Sequence, residues 1–250
     1  FHAITAAHNL LSAIIDNHLY QGNELEIEER SITWPRVLDV NDRALRHIVT
    51  GLGGRIDGVT RQSSFDITPA SEVMVIMSLA TSLKDLRERL GRIVIGRSKS
   101  GKWITAEDLQ AAGAMTALLR DALQPNLLRT SENTPVLIHT GPFGNIATGC
   151  SSVVADLIAA QHADYVVTEA GFGADMGAER FFDLKCAVSG LRPHAAVLVT
   201  TVRSLKSHSG KFKITAGKGL PEQMLAESPQ DVRAGQANLL KHIEIVRGFG

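Results

Sequence analysis

The 250-residue sequence has only two cysteines and no excess charge of either sign. Cys150 and Cys186 are too few for a disulfide framework, which favours an intracellular protein. Because 26 basic residues balance 26 acidic ones, no cationic surplus exists to displace counterions from a nucleic-acid backbone, and a dedicated DNA- or RNA-binding protein is disfavoured. The longest apolar runs, such as Ala195–Val199, are far too short to cross a bilayer, and no signal peptide is visible.

Several compact catalytic signatures are also missing. The sequence has no G-x-S-x-G nucleophile elbow, and its nine histidines lack the short paired spacing of a zinc site, so we predict no metal site. Residues 96–102 nearly match the P-loop pattern G-x-x-x-x-G-K-[ST], but Trp103 stands where a hydroxyl should bind Mg²⁺. A hairpin-like turn is therefore the favoured interpretation of this segment.

Hydrophobic periodicity predicts an α/β protein. Helical spacing indicates helices at residues 2–20, from Asn41 or Asp42 to Thr50, 71–90, 105–123, 146–163, 178–191 and 231–247. Apolar runs predict strands at Arg92–Ile95, Val136–His139, Tyr165–Thr168 and Ala195–Thr201. The last three are almost continuously apolar, which is typical of strands buried on both faces of a parallel sheet. We therefore expect an open, mostly parallel sheet with flanking helices, and a long mobile loop at 207–231.

Two glycine-containing segments follow predicted strands, at the sheet edge where parallel α/β folds bind ligands. His139–Asn145 allows close backbone approach to an anion, although a tight turn explains its glycines equally well. Residues 168–177 contain G-x-G-x-x-x-G, which resembles a dinucleotide fingerprint, but the basic Arg203 follows the next strand where an acid is expected. A phosphate or acyl-phosphate cradle needs no such acid. Glu169 and Asp175 could bind Mg²⁺ or cap the turn, and capping is favoured for Asp175.

A third candidate segment carries positive charge. Arg203, Lys206 and His208 follow the last predicted strand and could gather around an anionic substrate. A solvated loop is an equal alternative.

Runs spread over most of the chain resemble formate–tetrahydrofolate ligases. They include Phe1–Ile4, Asn41–Arg46, Gly51–Gly54, Phe65–Thr68, Gly141–Phe143 and Ala163–Asp175, and the similarity returns in Asn238–Glu244. The chain departs from the family pattern at His8, Pro69, Thr148 and Ser209, where asparagine, valine, histidine and glycine are usual. The chain opens inside a helical pattern and stops just after a helical run, so both ends are interpreted as cuts through a longer protein. The resemblance implies that residues 1–250 are the central part of the family's large nucleotide-binding domain, which resembles a P-loop NTPase fold.

The resemblance implies an ATP-dependent enzyme of one-carbon metabolism. Formate would take the γ-phosphate of ATP to give formyl phosphate, and tetrahydrofolate would then accept the formyl group to give 10-formyltetrahydrofolate, ADP and phosphate. Mg²⁺ and a monovalent cation, K⁺ or NH₄⁺, would assist. The resemblance further implies a cytoplasmic homotetramer acting on small molecules, with no nucleic-acid or membrane partner.

The resemblance places Gly144, Phe172 and Gly173 in the nucleotide and formyl-phosphate pocket. The family's P-loop precedes the segment that Phe1 opens, and its folate-stacking aromatic residues lie beyond Gly250, so the isolated chain is expected to be inactive. Two alternatives remain open at this point. One is a non-catalytic partner subunit of the same fold, and the other is an NAD(P)-binding dehydrogenase domain, which Arg203 disfavours.

Overall fold

A computed structural model describes all 250 residues, which form two compact units, Phe1–Glu169 and Ala170–Gly250. Unit 1 contains helices and all the strands, and unit 2 is helical, so the mixed α/β class is confirmed. The helices of unit 1 are α1 (His2–Tyr20), α2 (Glu72–Leu79), α3 (Leu83–Gly91), α4 (Ala112–Leu119) and α5 (Val153–His162). No helix is both long enough and apolar enough to span a bilayer.

Helix α1 forms because its apolar residues recur at intervals of three and four, as the sequence predicts. Ile4, Leu11 and Ile15 lie on one face and are buried against α4, where Met115 and Leu119 are fully enclosed. This contact is the centre of the unit 1 core.

The helix predicted over residues 71–90 is divided into α2 and α3. The break occurs because Ser82 accepts a hydrogen bond from the Asp85 N–H, while the Asp85 carboxylate accepts one from the Thr81 N–H at 3.0 Å. These reciprocal bonds start a new helix at this point. Apolar spacing continues across the break and therefore conceals it.

The strands form four two-stranded sheets. Only β1 (Arg36–Leu38) and β4 (Phe65–Ile67) are parallel; the antiparallel pairs are β2 (Ile48–Thr50) with β3 (Arg61–Ser63), β5 (Val94–Arg97) with β6 (Trp103–Thr105), and β7 (Asn126–Arg129) with β8 (Pro135–Ile138). Parallel pairing is thus limited to one small sheet. The prediction of a helix that ends at Thr50 is wrong, because a 3₁₀ turn at Arg43–Leu45 precedes strand β2.

The strands predicted at 165–168 and 195–201 are not formed within this chain. Tyr165 and Val167 are 91% and 96% exposed, and Val197 and Val199 are both 88% exposed. Apolar β-branched residues favour an extended backbone, but a strand also requires a hydrogen-bonded neighbour, and neither segment has one. The sequence therefore indicates the preference of these segments for an extended backbone, but it does not indicate which strand would pair with them.

Unit 2 is built from short helices. Two π-helical segments, Gly173–Ala178 and Phe181–Cys186, are continued by α6 (Ala187–Ser189), and the remaining helices are α7 (Val202–Ser207), α8 (Glu222–Leu225), α9 (Pro229–Ala234) and α10 (Gln236–Arg247). Helix α8 and the start of α9 fall within residues 207–231. The mobility of that range stays a prediction.

His8, one of the departures from the family pattern, is buried in a polar contact of unit 1. Its ring stacks on Trp34 with centroids 4.1 Å apart; Nδ1 lies 2.8 Å from the Ser71 Oγ, and Nε2 lies 3.0 Å from the Pro35 carbonyl oxygen. Because the carbonyl only accepts, Nε2 carries the proton and Nδ1 accepts from the Ser71 hydroxyl. Burial lowers the pKa of His8 to about 4.

Acidification should destabilise the protein through His8. Below pH 6.5 the unfolded chain binds a proton at this ring, while the folded chain does so only near its pKa of about 4. The free energy of unfolding should therefore fall between pH 7 and pH 4, by up to about 3 kcal/mol. Urea unfolding of the full-length protein, followed by Trp fluorescence, measures this loss. His8→Asn should reduce the pH dependence, and identical pH profiles for the two proteins would contradict the assignment.

Candidate functional site

The glycine loop, residues 171–177, begins unit 2 and has a backbone that requires glycine. Gly173 has φ +68°, and Phe172 has φ −59° and ψ 134°, angles that fit a type II turn with glycine at its third position. A Cβ atom at Gly173 would lie 2.4 Å from the Asp175 Oδ1. An L side chain at this position is therefore strained by the backbone conformation and also requires the Asp175 carboxylate to rotate away.

The third glycine of the pattern packs against the first. A Cβ atom at Gly177 would lie 1.7 Å from the Gly171 carbonyl oxygen, and the Gly177 N–H donates to the Phe172 carbonyl at 3.2 Å. The G-x-G-x-x-x-G spacing therefore produces a close backbone contact between the turn and the π-helical segment. This geometry accounts for the pattern without a dinucleotide.

The turn leaves two backbone donors available. The N–H groups of Phe172 and Gly173 have no acceptor in the chain, whereas the Ala174 N–H donates to the Nδ1 of His242 at 2.9 Å. The Phe172 side chain is 90% exposed. Adjacent N–H groups in a glycine turn are suited to binding an anion. His242 was not among the sequence-predicted site residues, although it lies within the family-like run Asn238–Glu244.

Gly144 lies in unit 1, in the loop between β8 and α5, and is half-buried. His139 anchors this loop: its Nδ1 lies 2.6 Å from the Ser152 Oγ, and its Nε2 donates to the Ala122 carbonyl at 2.7 Å. Burial lowers the pKa of His139 and favours the neutral ring. Ser152 in turn caps α5 by accepting from the Ala155 N–H. The predicted helix at 146–163 therefore begins only at Val153.

The same loop contains strain and an unpartnered hydroxyl. Thr140 has φ +58°, which is unusual for a β-branched residue. Thr148 is fully buried, and its Oγ1 has no hydrogen-bond partner. Such features concentrate at functional loops, and Thr148 also occupies a position where histidine is usual in the resembling family.

The three predicted cationic residues of unit 2 have different surroundings. Lys206 is almost fully buried, and its ammonium donates to the carbonyls of Met224, at 2.6 Å, and Ala226. His208 donates from Nδ1 to the Ser204 carbonyl at 2.9 Å. Arg203 is exposed and has no ion-pair partner.

Arg203 and Lys206 border one cavity of about 550 Å³, and His208 does not. Arg233 also lines this cavity, and its apolar wall includes Val202, Met224, Pro229 and Val232. Its volume falls within the usual range for small-molecule sites. Of the predicted site residues in unit 2, Phe172 and Gly173 lie in the glycine loop, whereas Arg203 and Lys206 border this cavity. Gly144 belongs to unit 1.

The near-P-loop at 96–102 is the turn of the β5–β6 hairpin, as predicted. The Ser98 N–H donates to the Lys102 carbonyl at 2.8 Å, the Lys102 N–H donates to the Ser98 Oγ, and Gly101 has φ +86°. A strand follows the turn, so no helix start faces it. Trp103 stacks against the Arg97 guanidinium at 3.9 Å.

Comparison with known proteins places these sites in a family. The family model for formate–tetrahydrofolate ligase matches residues 1–250. The chain belongs to the formate–tetrahydrofolate ligase family. It is 66% identical to the ligases of Cutibacterium acnes, over 250 residues, and Saccharopolyspora erythraea, over 249 residues. Formate–tetrahydrofolate ligase 3 of Rubrobacter xylanophilus is 65% identical over 249 residues.

Each of these alignments covers 100% of this chain and 44% of the relative. The chain therefore spans less than half the length of the curated ligases that it matches.

Proposed function

We propose that the full-length protein is an ATP-dependent ligase that joins formate to tetrahydrofolate through formyl phosphate, giving 10-formyltetrahydrofolate, ADP and phosphate. The supporting observation is the family match across all 250 residues, with identities of 65–66% to curated ligases. We further propose that it acts in the cytoplasm as a homotetramer. The chain covers less than half of these relatives, and we further propose that segments outside it complete the active site.

Within this scheme, the glycine loop binds the anionic intermediate. The Phe172 and Gly173 N–H groups lack acceptors in the chain, and the missing Cβ of Gly173 lets an anion approach the backbone closely. Backbone donors of this kind stabilise charge that develops on a transferring phosphoryl or acyl group, since they need no reorganisation during the reaction. The role of Gly144 in binding the intermediate stays a prediction.

The cationic cavity is proposed to attract anionic substrates. Arg203 and Arg233 have no ion-pair partners at its rim, while Lys206 is already bound to two carbonyls and supplies charge from beneath. His208 follows the same helix but does not border the cavity, so its contact with an anionic substrate stays a prediction. The glycine loop remains the primary site, because its donors are pre-positioned by the backbone.

Mg²⁺ and a monovalent cation, K⁺ or NH₄⁺, are proposed cofactors of the full-length protein. The chain has no group of three or more histidine, cysteine, aspartate or glutamate side chains placed to hold a metal ion. Asp175 is mostly exposed beside the glycine loop and could contribute one oxygen ligand. Mg²⁺ commonly binds through one or two carboxylates together with substrate phosphates, and this chain fits only such a partial role.

The activity is tested with purified full-length protein, formate, MgATP, K⁺ and tetrahydrofolate. We expect 10-formyltetrahydrofolate to accumulate in step with ADP, and both to depend on formate. A folded protein that consumes no ATP and forms no product would instead support a non-catalytic subunit. Formation of an NAD(P)H complex without ligase activity would support the dehydrogenase alternative.

Lys102→Ala should leave ATP use in the full-length enzyme within about threefold of the wild type. The lysine follows a hairpin turn that faces no helix start, whereas a P-loop lysine contacts the β- and γ-phosphates directly. Lys99→Ala, in the same turn, is the matched control. A loss of about a hundredfold in kcat/KM for Lys102→Ala alone, roughly 2.7 kcal/mol of transition-state stabilisation, would assign the turn to phosphate binding.

A further inference from the structure

His242 connects the last helix of unit 2 to the glycine loop. It lies on α10, 68 residues after Ala174, and its Nδ1 is 2.9 Å from the Ala174 backbone nitrogen. Since the backbone N–H can only donate, Nδ1 must present its lone pair, and the neutral ring carries its hydrogen on Nε2. Ala174 is 4% exposed, so its N–H has little access to bulk water as a substitute acceptor.

The ring also lies beside the other residues of the turn. A Cβ atom at Gly173 would be 3.6 Å from the His242 Cε1, and the Asp175 Oδ1 is 3.9 Å from Nδ1. The ring therefore borders three consecutive residues, Gly173, Ala174 and Asp175. It accepts a hydrogen bond from only one of them.

This hydrogen bond divides the backbone donors of the turn into two classes. The Ala174 N–H is occupied by His242, whereas the N–H groups of Phe172 and Gly173 remain without an acceptor. Fixing the third N–H sets the orientation of the peptide plane between Gly173 and Ala174. That plane includes the Gly173 carbonyl and constrains the ψ angle of Gly173, so the direction of the two available donors depends on it.

We propose that His242 is a positioning residue for anion binding by the glycine loop. The inference rests on the proposed function, because it assumes that the Phe172 and Gly173 N–H groups bind the phosphoryl or acyl-phosphate group. His242 acts through the backbone and does not itself contact substrate. This role requires only a hydrogen-bond acceptor at the position of Nδ1. It requires neither a charge on the ring nor a polar atom at the position of Nε2.

Two amide substitutions test that requirement in the full-length enzyme. Asparagine places its Oδ1 near the position of the histidine Nδ1, whereas glutamine extends its amide toward the position of Nε2. His242→Asn should therefore keep kcat/KM for formate and ATP within about threefold of the wild type. His242→Gln and His242→Phe should lower it at least tenfold, and the inhibition constant for inorganic phosphate should rise in proportion. The KM for tetrahydrofolate should stay unchanged in all three variants.

Lys241→Ala is the matched control, because Lys241 lies on the same helix and pairs with Glu244 away from the loop. Equal losses in the asparagine and glutamine variants, or losses that follow only the melting temperature, would show that His242 is a packing residue. Failure of the proposed function is distinguished with Gly173→Val. If that variant turns over normally, the loop is not the anion site; if it is inactive while His242→Gln is normal, only the positioning role is wrong.

Discussion

Gly173→Val in the full-length enzyme is expected to lower kcat/KM for ATP and formate by at least about a hundredfold while the protein stays folded. A β-branched residue at φ +68° is strained by about 1–2 kcal/mol, which most domains tolerate. The new Cβ would also lie 2.4 Å from the Asp175 Oδ1, so the exposed Asp175 carboxylate must rotate away from its place in the turn. A shift of the Gly173 backbone that relieves the strain misdirects the Phe172 and Gly173 N–H groups, and binding energy in the transition state is lost.

Gly190→Val provides a matched control for that experiment. Gly190 has φ +72°, nearly the same backbone strain, but a Cβ atom there would meet nothing within 4 Å. Both variants should lose similar thermal stability, and only Gly173→Val should lose turnover. If Gly173→Val retained normal steady-state kinetics, the glycine loop would have no part in binding the intermediate.

The isolated 250-residue chain should form no measurable 10-formyltetrahydrofolate and bind ATP only weakly, a loss of at least about 10⁴-fold relative to the full-length protein. Phosphoryl transfer depends on positioning and charge stabilisation, and a P-loop lysine, its backbone cradle and the Mg²⁺-binding hydroxyl supply much of both. The chain contains no G-x-x-x-x-G-K-[ST] sequence, and it spans 44% of its curated relatives. The glycine loop alone can hold only part of the substrate.

The measurement compares the chain with the full-length protein under identical formate, MgATP, K⁺ and tetrahydrofolate concentrations, with ATP binding followed by calorimetry. Circular dichroism should first establish that the chain has its helices, so that inactivity is not confused with unfolding. Turnover by the chain alone at an ordinary enzymatic rate would show that the rest of the protein is dispensable. Full-length protein lacking activity would question the proposed function itself.

Sequence periodicity predicts the helices best where one apolar face meets the core. Helix α1 matches its predicted bounds because all of its buried residues lie on the same face. The boundary between α2 and α3 is missed, since the Ser82–Asp85 capping bonds interrupt the backbone and leave the apolar spacing intact. The runs at 165–168 and 195–201 show the corresponding limit for strands, because pairing depends on a neighbour that local sequence does not specify.

The candidate site was predictable only in part. The glycines of residues 171–177 indicate a tight backbone, and the structure supplies the reason: Gly177 passes against the Gly171 carbonyl. His242 could not be paired with Ala174 from spacing, since a contact across 68 residues depends on how α10 packs. The burial and hydrogen bonds of Lys206 could not be predicted either, because only the folded arrangement brings the Met224 and Ala226 carbonyls to its ammonium.

The exposed runs at Tyr165–Thr168 and Ala195–Thr201 have a practical consequence for anyone expressing this portion of the gene. Each run is exposed, rich in apolar residues and without a paired strand, which are the properties of a segment prone to intermolecular β-pairing. Overproduced alone, the chain should enter inclusion bodies even if the α1–α4 core is intact. A low yield of soluble chain in such a trial would reflect aggregation through these two runs. The yield would therefore not measure how core substitutions change the free energy of unfolding.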